Sequence, residues 1–253
     1  MSIDPDHIGS VEPEYIGIDD SFTFSCNPDT TCFNMCCKDV NQFLYPYDIL
    51  RLKNSLGLSS TEFLEQYTMT YSGDTTGLPV VAFKTSYKDG HTCPFVTDQG
   101  CRVYSDRPSS CRIFPLARAI SRSRQTGEIT EHYAIIKDPI CRGFESNRKI
   151  RVRDWVTDQG LELFNRANDR MIELISLKQQ IMPGPLSGSM KEKFILALYD
   201  LDRFRTQIRD EGLISENDME NGQYQQILND DSALLDLGLT WIKKELFGNQ
   251  GAR

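Results

Sequence analysis

The chain has 253 residues, a net charge of −8 and eight cysteines. That length can build a hydrophobic core without disulfide staples, and the acidic balance excludes attachment to nucleic acid or an anionic membrane through overall charge. No stretch approaches the roughly 18 apolar residues of a membrane span. The acidic opening "MSIDPDHIGSVEPEYIGIDD" lacks the basic start and apolar run of a signal peptide.

These features predict a cytoplasmic protein, where thiols stay reduced and clustered cysteines serve metal or catalysis rather than disulfides. The first cysteine-rich stretch, "SCNPDTTCFNMCCKDV", carries Cys26, Cys32, Cys36 and Cys37. "YPYDILRLKNSLG" then predicts a short helix closed by Gly57, and Ser59 with Glu62 forms a capping box for a second one. "PVVAFKTSY" predicts a strand that ends before a turn at Asp89 and Gly90. "CPFV" and "CRVY", flanking "TDQG", predict a hairpin holding Cys93 and Cys101. A second hairpin is expected from "FPLARAISRS" and "EITEHYAII", with Cys111 just before it and Cys141 just after.

From about Val152 the apolar residues fall at helical spacing, including Leu163, Phe164, Met171, Ile172, Leu174 and Ile175. Gly160 is expected to interrupt this run, and "PGP" at 183–185 to end it. Ser189 and Glu192 predict a cap for the next helix, with Phe194, Ile195, Leu198, Leu201 and Phe204 on one face. After an acidic loop, Asp231 or Ser232 opens a last helix that stops at Gly248. The fold class is α+β: a cysteine-rich metal-binding region of short strands and helices over 1–151, then a mainly α-helical region over 152–253 that packs on it.

The cysteine spacings are Cys26-x5-Cys32-x3-Cys36-Cys37, then Cys93-x7-Cys101-x9-Cys111, then Cys141. No CxxC knuckle of the zinc-ribbon kind occurs, nor the CxxxCxxC run of radical enzymes that use S-adenosylmethionine. Adjacent Cys36 and Cys37 diverge, so they could face two metals, or one could ligate while the other packs. Eight thiolates suffice for two four-thiolate sites, or for one polynuclear site with spare ligands. Between Gly100 and Arg124 stand six arginines, Arg102, Arg107, Arg112, Arg118, Arg122 and Arg124, against one acid, Asp106. Guanidinium groups there can offset thiolate charge. Tyr104 and Phe114 can shield sulfur from water or simply pack, Arg107 and Arg112 can hydrogen-bond sulfur, and Pro108 turns the chain between Cys101 and Cys111. His91, two residues before Cys93, is a candidate auxiliary ligand.

The ordered set Cys26…Cys32-x3-Cys36-Cys37, Cys93-Pro94-Phe95, Gly100-Cys101, Tyr104, Arg107-Pro108 and Cys111-Arg112-x-Phe114-Pro115 resembles the bacterial and archaeal cysteine-cluster (CxxCxxCC) family, to which zinc or iron chelation is ascribed. The resemblance covers roughly residues 24 to 145, and Cys141 resembles a later cysteine that many members carry. It implies metal ligation by Cys26, Cys32, Cys36, Cys37, Cys93, Cys101, Cys111 and Cys141. A related cluster in flagellin lysine methylases implies an iron–sulfur site.

Three functions follow. One is a binding module holding an all-cysteine iron–sulfur centre (4Fe–4S) or other iron site, for redox or sensing. Another is a structural zinc module that presents the helical half to a protein partner. The third is an enzyme of the protein lysine methyltransferase kind, although no glycine-rich strand-to-helix loop is present and only His7, His91 and His132 could serve a Cys–His pair. The all-sulfur donor set and the missing knuckles favour iron–sulfur.

Overall fold

The structure, a computed structural model, describes residues 13–248 apart from 39, 87, 89, 124 and 216–222. His7, Asp89 of the expected turn, Arg124 and most of the acidic loop therefore lie outside the described residues. The fold is α+β, with short strands and helices around the cysteines and a mainly helical C-terminal half.

In the N-terminal half, β1 (Glu14–Ile16) and β2 (Ser21–Thr23) precede the first cysteines, which enter a 3-10 turn at Met35–Cys37. β3 (Phe43–Leu44) leads into α1 (Pro46–Leu56), and α2 (Ser60–Tyr67) runs on into β4 (Thr68–Ser72) and β5 (Pro79–Phe83). The capping box at Ser59 and Glu62 forms, and Gly57 closes α1 at φ 66°, a conformation that suits glycine. β3, β5 and β4 make one antiparallel sheet, with β5 central. Its strand stops at Phe83, shorter than the sequence predicts, because its partner β4 begins only at Thr68, directly after α2.

The first predicted hairpin forms from β6 (Val96–Thr97) and β7 (Gly100–Cys101). α3 (Ser109–Ile113) follows and carries Cys111. The second hairpin is β8 (Leu116–Arg122) with β9 (Ile129–Ile135), in a register that sets Ala119 opposite His132. β1 adds to the outer edge of β9, and β10 (Lys149–Arg151) pairs with β2. Three-residue strands such as β1, β2 and β10 are too short to show a period of two in the sequence.

The helical half contains α4 (Val152–Asp158), α5 (Leu161–Ile181), α6 (Gly188–Leu198), α7 (Leu201–Glu211), α8 (Gln223–Asn229) and α9 (Asp231–Phe247). Gly160 separates α4 from α5 at φ 60°. The cap of α6 differs from expectation: Ser187 accepts the Met190 N–H, whereas Ser189 already lies in the first turn. The apolar face expected to run unbroken from Phe194 to Phe204 is divided between two helices. The break falls at Tyr199 and Asp200, where the Asp200 carboxylate accepts the Ser60 and Thr61 hydroxyls, both at 2.8 Å. That tertiary demand outweighs helical continuity.

The main core joins both halves. Leu52, Phe63 and Phe95 lie in one cluster with Leu174, Phe194, Phe204, Leu234 and Ile242. A smaller core gathers Phe22, Phe24, Leu116, Tyr133, Val152 and Trp155. The proline-glycine segment after α5 is strapped down as well. Lys178, fully buried, donates to Thr76 O at 2.7 Å and to Gly184 O, and Leu186 N–H bonds to Gly77 O.

Gly238 lets α9 approach α6 closely: a Cβ there would land on the Ala197 carbonyl oxygen. Gly238→Ala should therefore separate these helices and cost about 2–4 kcal/mol despite the better helix propensity of alanine. Denaturant unfolding checks this, and an unchanged midpoint would contradict the contact.

Candidate metal centre

The backbone brings the two cysteine-rich stretches together. Cys93 N–H bonds to Cys37 O at 2.8 Å, and Val40 N–H to His91 O at 2.8 Å. The 32–37 turn also docks on the β6–β7 hairpin. Asn34 Nδ2 donates to Thr97 O at 3.0 Å, and the Phe33 ring packs where a side chain at Gly100, at φ 119°, would begin. The hairpin in turn sets Cys101 across from Val96, three residues beyond Cys93.

Cys111 arrives on α3, whose position is fixed from two sides. From α1, Asp48 accepts the Ser109 N–H at 2.8 Å and the Tyr45 N–H at 2.9 Å. From α5, Asn168 Nδ2 donates to Ser109 Oγ at 3.1 Å. The Cys111 thiol faces Gln42 Oε1 at 3.7 Å.

Electrostatics trace the same neighbourhood. Cys37 acts on Cys36 through a thiol–thiol hydrogen bond that brings Cys36 down to about 7, and the same bond raises Cys37. Cys93 and Cys111 also press on Cys37, while Cys93 and Cys101 press on Cys111. Cys111 keeps surface exposure, yet the protein packed around its sulfur pushes the thiol up to about 12. Burial raises Cys93 and Cys101 too. Thiols crowded this way resist ionisation until a cation neutralises them.

A backbone amide offers further preparation. The Arg142 N–H donates to Cys32 Sγ at 3.1 Å, whereas the Val96 N–H goes to the Cys93 carbonyl oxygen at 3.2 Å. Such donors stabilise thiolate and tune a metal bound to it. A residue string carries no sign of them, because they depend on backbone direction alone.

The other motif residues divide. Arg107 exerts a favourable pull on Cys26 and Cys101, as a charge partner should. Arg112 does not serve sulfur. It is buried, donates to Arg107 O at 2.9 Å, to Gln159 O at 2.8 Å and to Ser105 O, and lies 4.5 Å over the Phe164 ring. It holds the ligand loop to the α4–α5 corner. Tyr104 is 59% exposed under the Arg107 guanidinium and shields no sulfur, whereas Phe114 packs edge-on to Phe24. Phe95, fully buried beside Cys93 and Cys101, is the aromatic that closes the site from the core side. His91 turns its Nδ1 to Thr85 Oγ1 at 3.1 Å.

Eight thiols, none disulfide-bonded, thus share one region of the fold. Residues 25–142 match the model of the CxxCxxCC family. The matching family model is described as a "Putative zinc- or iron-chelating domain" and spans just under half of the chain. No curated protein and no solved structure matches. Residues 25–142 offer a donor set that fits zinc or iron: soft thiols, with the Arg142 amide on Cys32 Sγ. Among the described residues no three donors stand in ligating geometry as they are placed. No helix among the described residues is long and apolar enough to cross a membrane.

Proposed function

We propose that the protein holds an iron–sulfur centre on Cys36, Cys37, Cys93, Cys101 and Cys111, used for electron transfer or for sensing. The observation that carries this reading is the backbone docking of the two cysteine-rich stretches, where Cys93 N–H bonds to Cys37 O at 2.8 Å and the β6–β7 hairpin sets Cys101 across from Val96. It gathers an all-sulfur donor set, which suits an iron–sulfur centre. When bound, the cluster would supply one-electron redox chemistry. The chain contributes the sulfur ligands and Phe95 as a dry wall behind them.

Protein purified without oxygen is expected to contain iron and acid-labile sulfide and to show a brown absorption that bleaches with reductant. Colourless protein with about one zinc per chain and no iron would replace this reading with a structural zinc site.

A further inference from the structure

The antiparallel sheet of β3, β5 and β4 leaves β4 at one edge. Which backbone groups of β4 turn outward follows from the bonds at its two ends. Lys84 donates its N–H to Tyr67 O, and Gly73 donates its N–H to Leu78 O. In the same register Met69 faces Ala82 and Tyr71 faces Val80, so these alternate residues are the ones bonded to β5. The N–H and C=O groups of Thr68, Thr70 and Ser72 therefore point away from the sheet. Thr68 N–H is taken up by Leu64 O of α2. The outward groups of Thr70 and Ser72 meet no partner among the described residues.

Both faces beside this open edge are prepared. On the core side a groove of about 430 Å³ lies between Thr70 and Ser72 and the helices α6 and α7, with Ile195 and Leu196 in its wall. Lys191 and Arg203 line it too, and neither makes an ion pair among the described residues. Of the acids there, Asp200 is buried with its carboxylate on the Ser60 and Thr61 hydroxyls, which leaves Glu192 as the exposed one. On the opposite face Phe43 and Met69 are exposed, both across from Ala82, and the Phe43 and Tyr71 rings lie 6.1 Å apart.

We propose that β4 receives an extended segment of a partner protein as an added strand, one that alternates apolar and acidic residues. Another peptide backbone is what answers N–H and C=O groups presented at strand spacing. Side chains of an added strand alternate between the two faces of the sheet. One set extends the apolar row of Phe43, Met69 and Tyr71. The other set enters the groove, where Lys191 and Arg203 stand against the single exposed acid and select carboxylates.

A short, terminally blocked peptide of alternating valine and glutamate serves as the probe, titrated into the full-length protein by fluorescence anisotropy and by amide hydrogen exchange. Saturable binding with slowed exchange at Thr70 and Ser72 is expected. The same peptide with lysine in place of glutamate should bind several-fold more weakly. Thr70→Pro removes an outward N–H and leaves the β4–β5 bonds in place, so it should abolish binding. Arg203→Glu leaves the strand edge untouched and should weaken binding several-fold, whether or not the proline variant folds. Glu192→Gln should tighten it. No saturable binding to the wild type, or binding that leaves Thr70 and Ser72 exchange unchanged or ignores Arg203→Glu, would overturn the proposal. A wild type that sediments as a dimer beside a monomeric Thr70→Pro variant would overturn it as well, by giving the edge to a second copy of this chain.

Discussion

Cys93→Ser and Cys101→Ser should each strip most of the bound metal and lower the melting temperature in parallel. Cys37 and Cys93 are separated by 55 residues, yet their backbones touch through the Cys93 N–H to Cys37 O bond. A metal that ties both stretches closes a long loop, and loops of that length carry a closure term of about 4 kcal/mol in chain-entropy accounts. Binding energy of the metal adds to folding energy because the unfolded chain holds no such site. A loss of about 3–5 kcal/mol is the expected scale for either variant. Differential scanning calorimetry run beside metal analysis checks it. Should both variants keep full metal and the wild-type transition, the five-thiol group has been drawn around the wrong residues.

Asp48→Ala should be nearly as damaging, although Asp48 ligates nothing. Its carboxylate is fully buried and accepts two backbone N–H groups and the Ser109 hydroxyl. Alanine would leave those donors without partners, at about 3–5 kcal/mol in total. It would also release α3, so metal loss to a chelator should speed up several-fold.

Asp48→Asn isolates the charge. Burial raises the Asp48 carboxyl to about 6, above its ordinary value of roughly 4, against the lowering effect of the amides. The folded state therefore binds the proton more tightly than the unfolded state does. Stability from this group is complete below about pH 4 and declines as pH rises through about 6. Asparagine does not titrate, so Asp48→Asn should gain on wild type by up to about 3 kcal/mol between pH 4 and pH 7. Urea midpoints across that range decide it. A constant difference between the two proteins would mean that Asp48 is not held in the buried pocket formed with Ser109.

Much of the architecture could be read from local chemistry. Gly57, Ser59 with Glu62, Gly160 and Gly248 each end or begin a helix where their conformational or capping roles require. Both hairpins follow from their turns and flanking apolar residues. The interruption at Tyr199–Asp200 had no local signal, since the reason for it is α2, some 140 residues earlier in the chain. Two- and three-residue strands such as β3 and β10 were hidden for the same reason: their pairing partners, not their own residues, define them.

The site shows the same division. Thiol identity and the motif around Cys101 and Cys111 were visible as residue types. How the stretches meet was not, because it depends on the Ser25–Gly143 and Cys37–Cys93 backbone contacts. Arg112 illustrates the limit most clearly. Between a cysteine and an aromatic it reads as a thiolate partner, but its three hydrogen-bonded carbonyls make it a structural clamp. Asp48 left a trace only as an acid in the first turn of α1, where it caps that helix. Its second role, holding α3, needs the tertiary structure.

Iron held by the grouped thiols through sulfur alone can be seen by X-ray absorption at the iron edge of anaerobically purified full-length protein. The expected result is a first coordination shell of sulfur only, with a neighbouring iron atom in the next shell. A first shell dominated by oxygen or nitrogen, or protein containing about stoichiometric zinc and no iron, would contradict it.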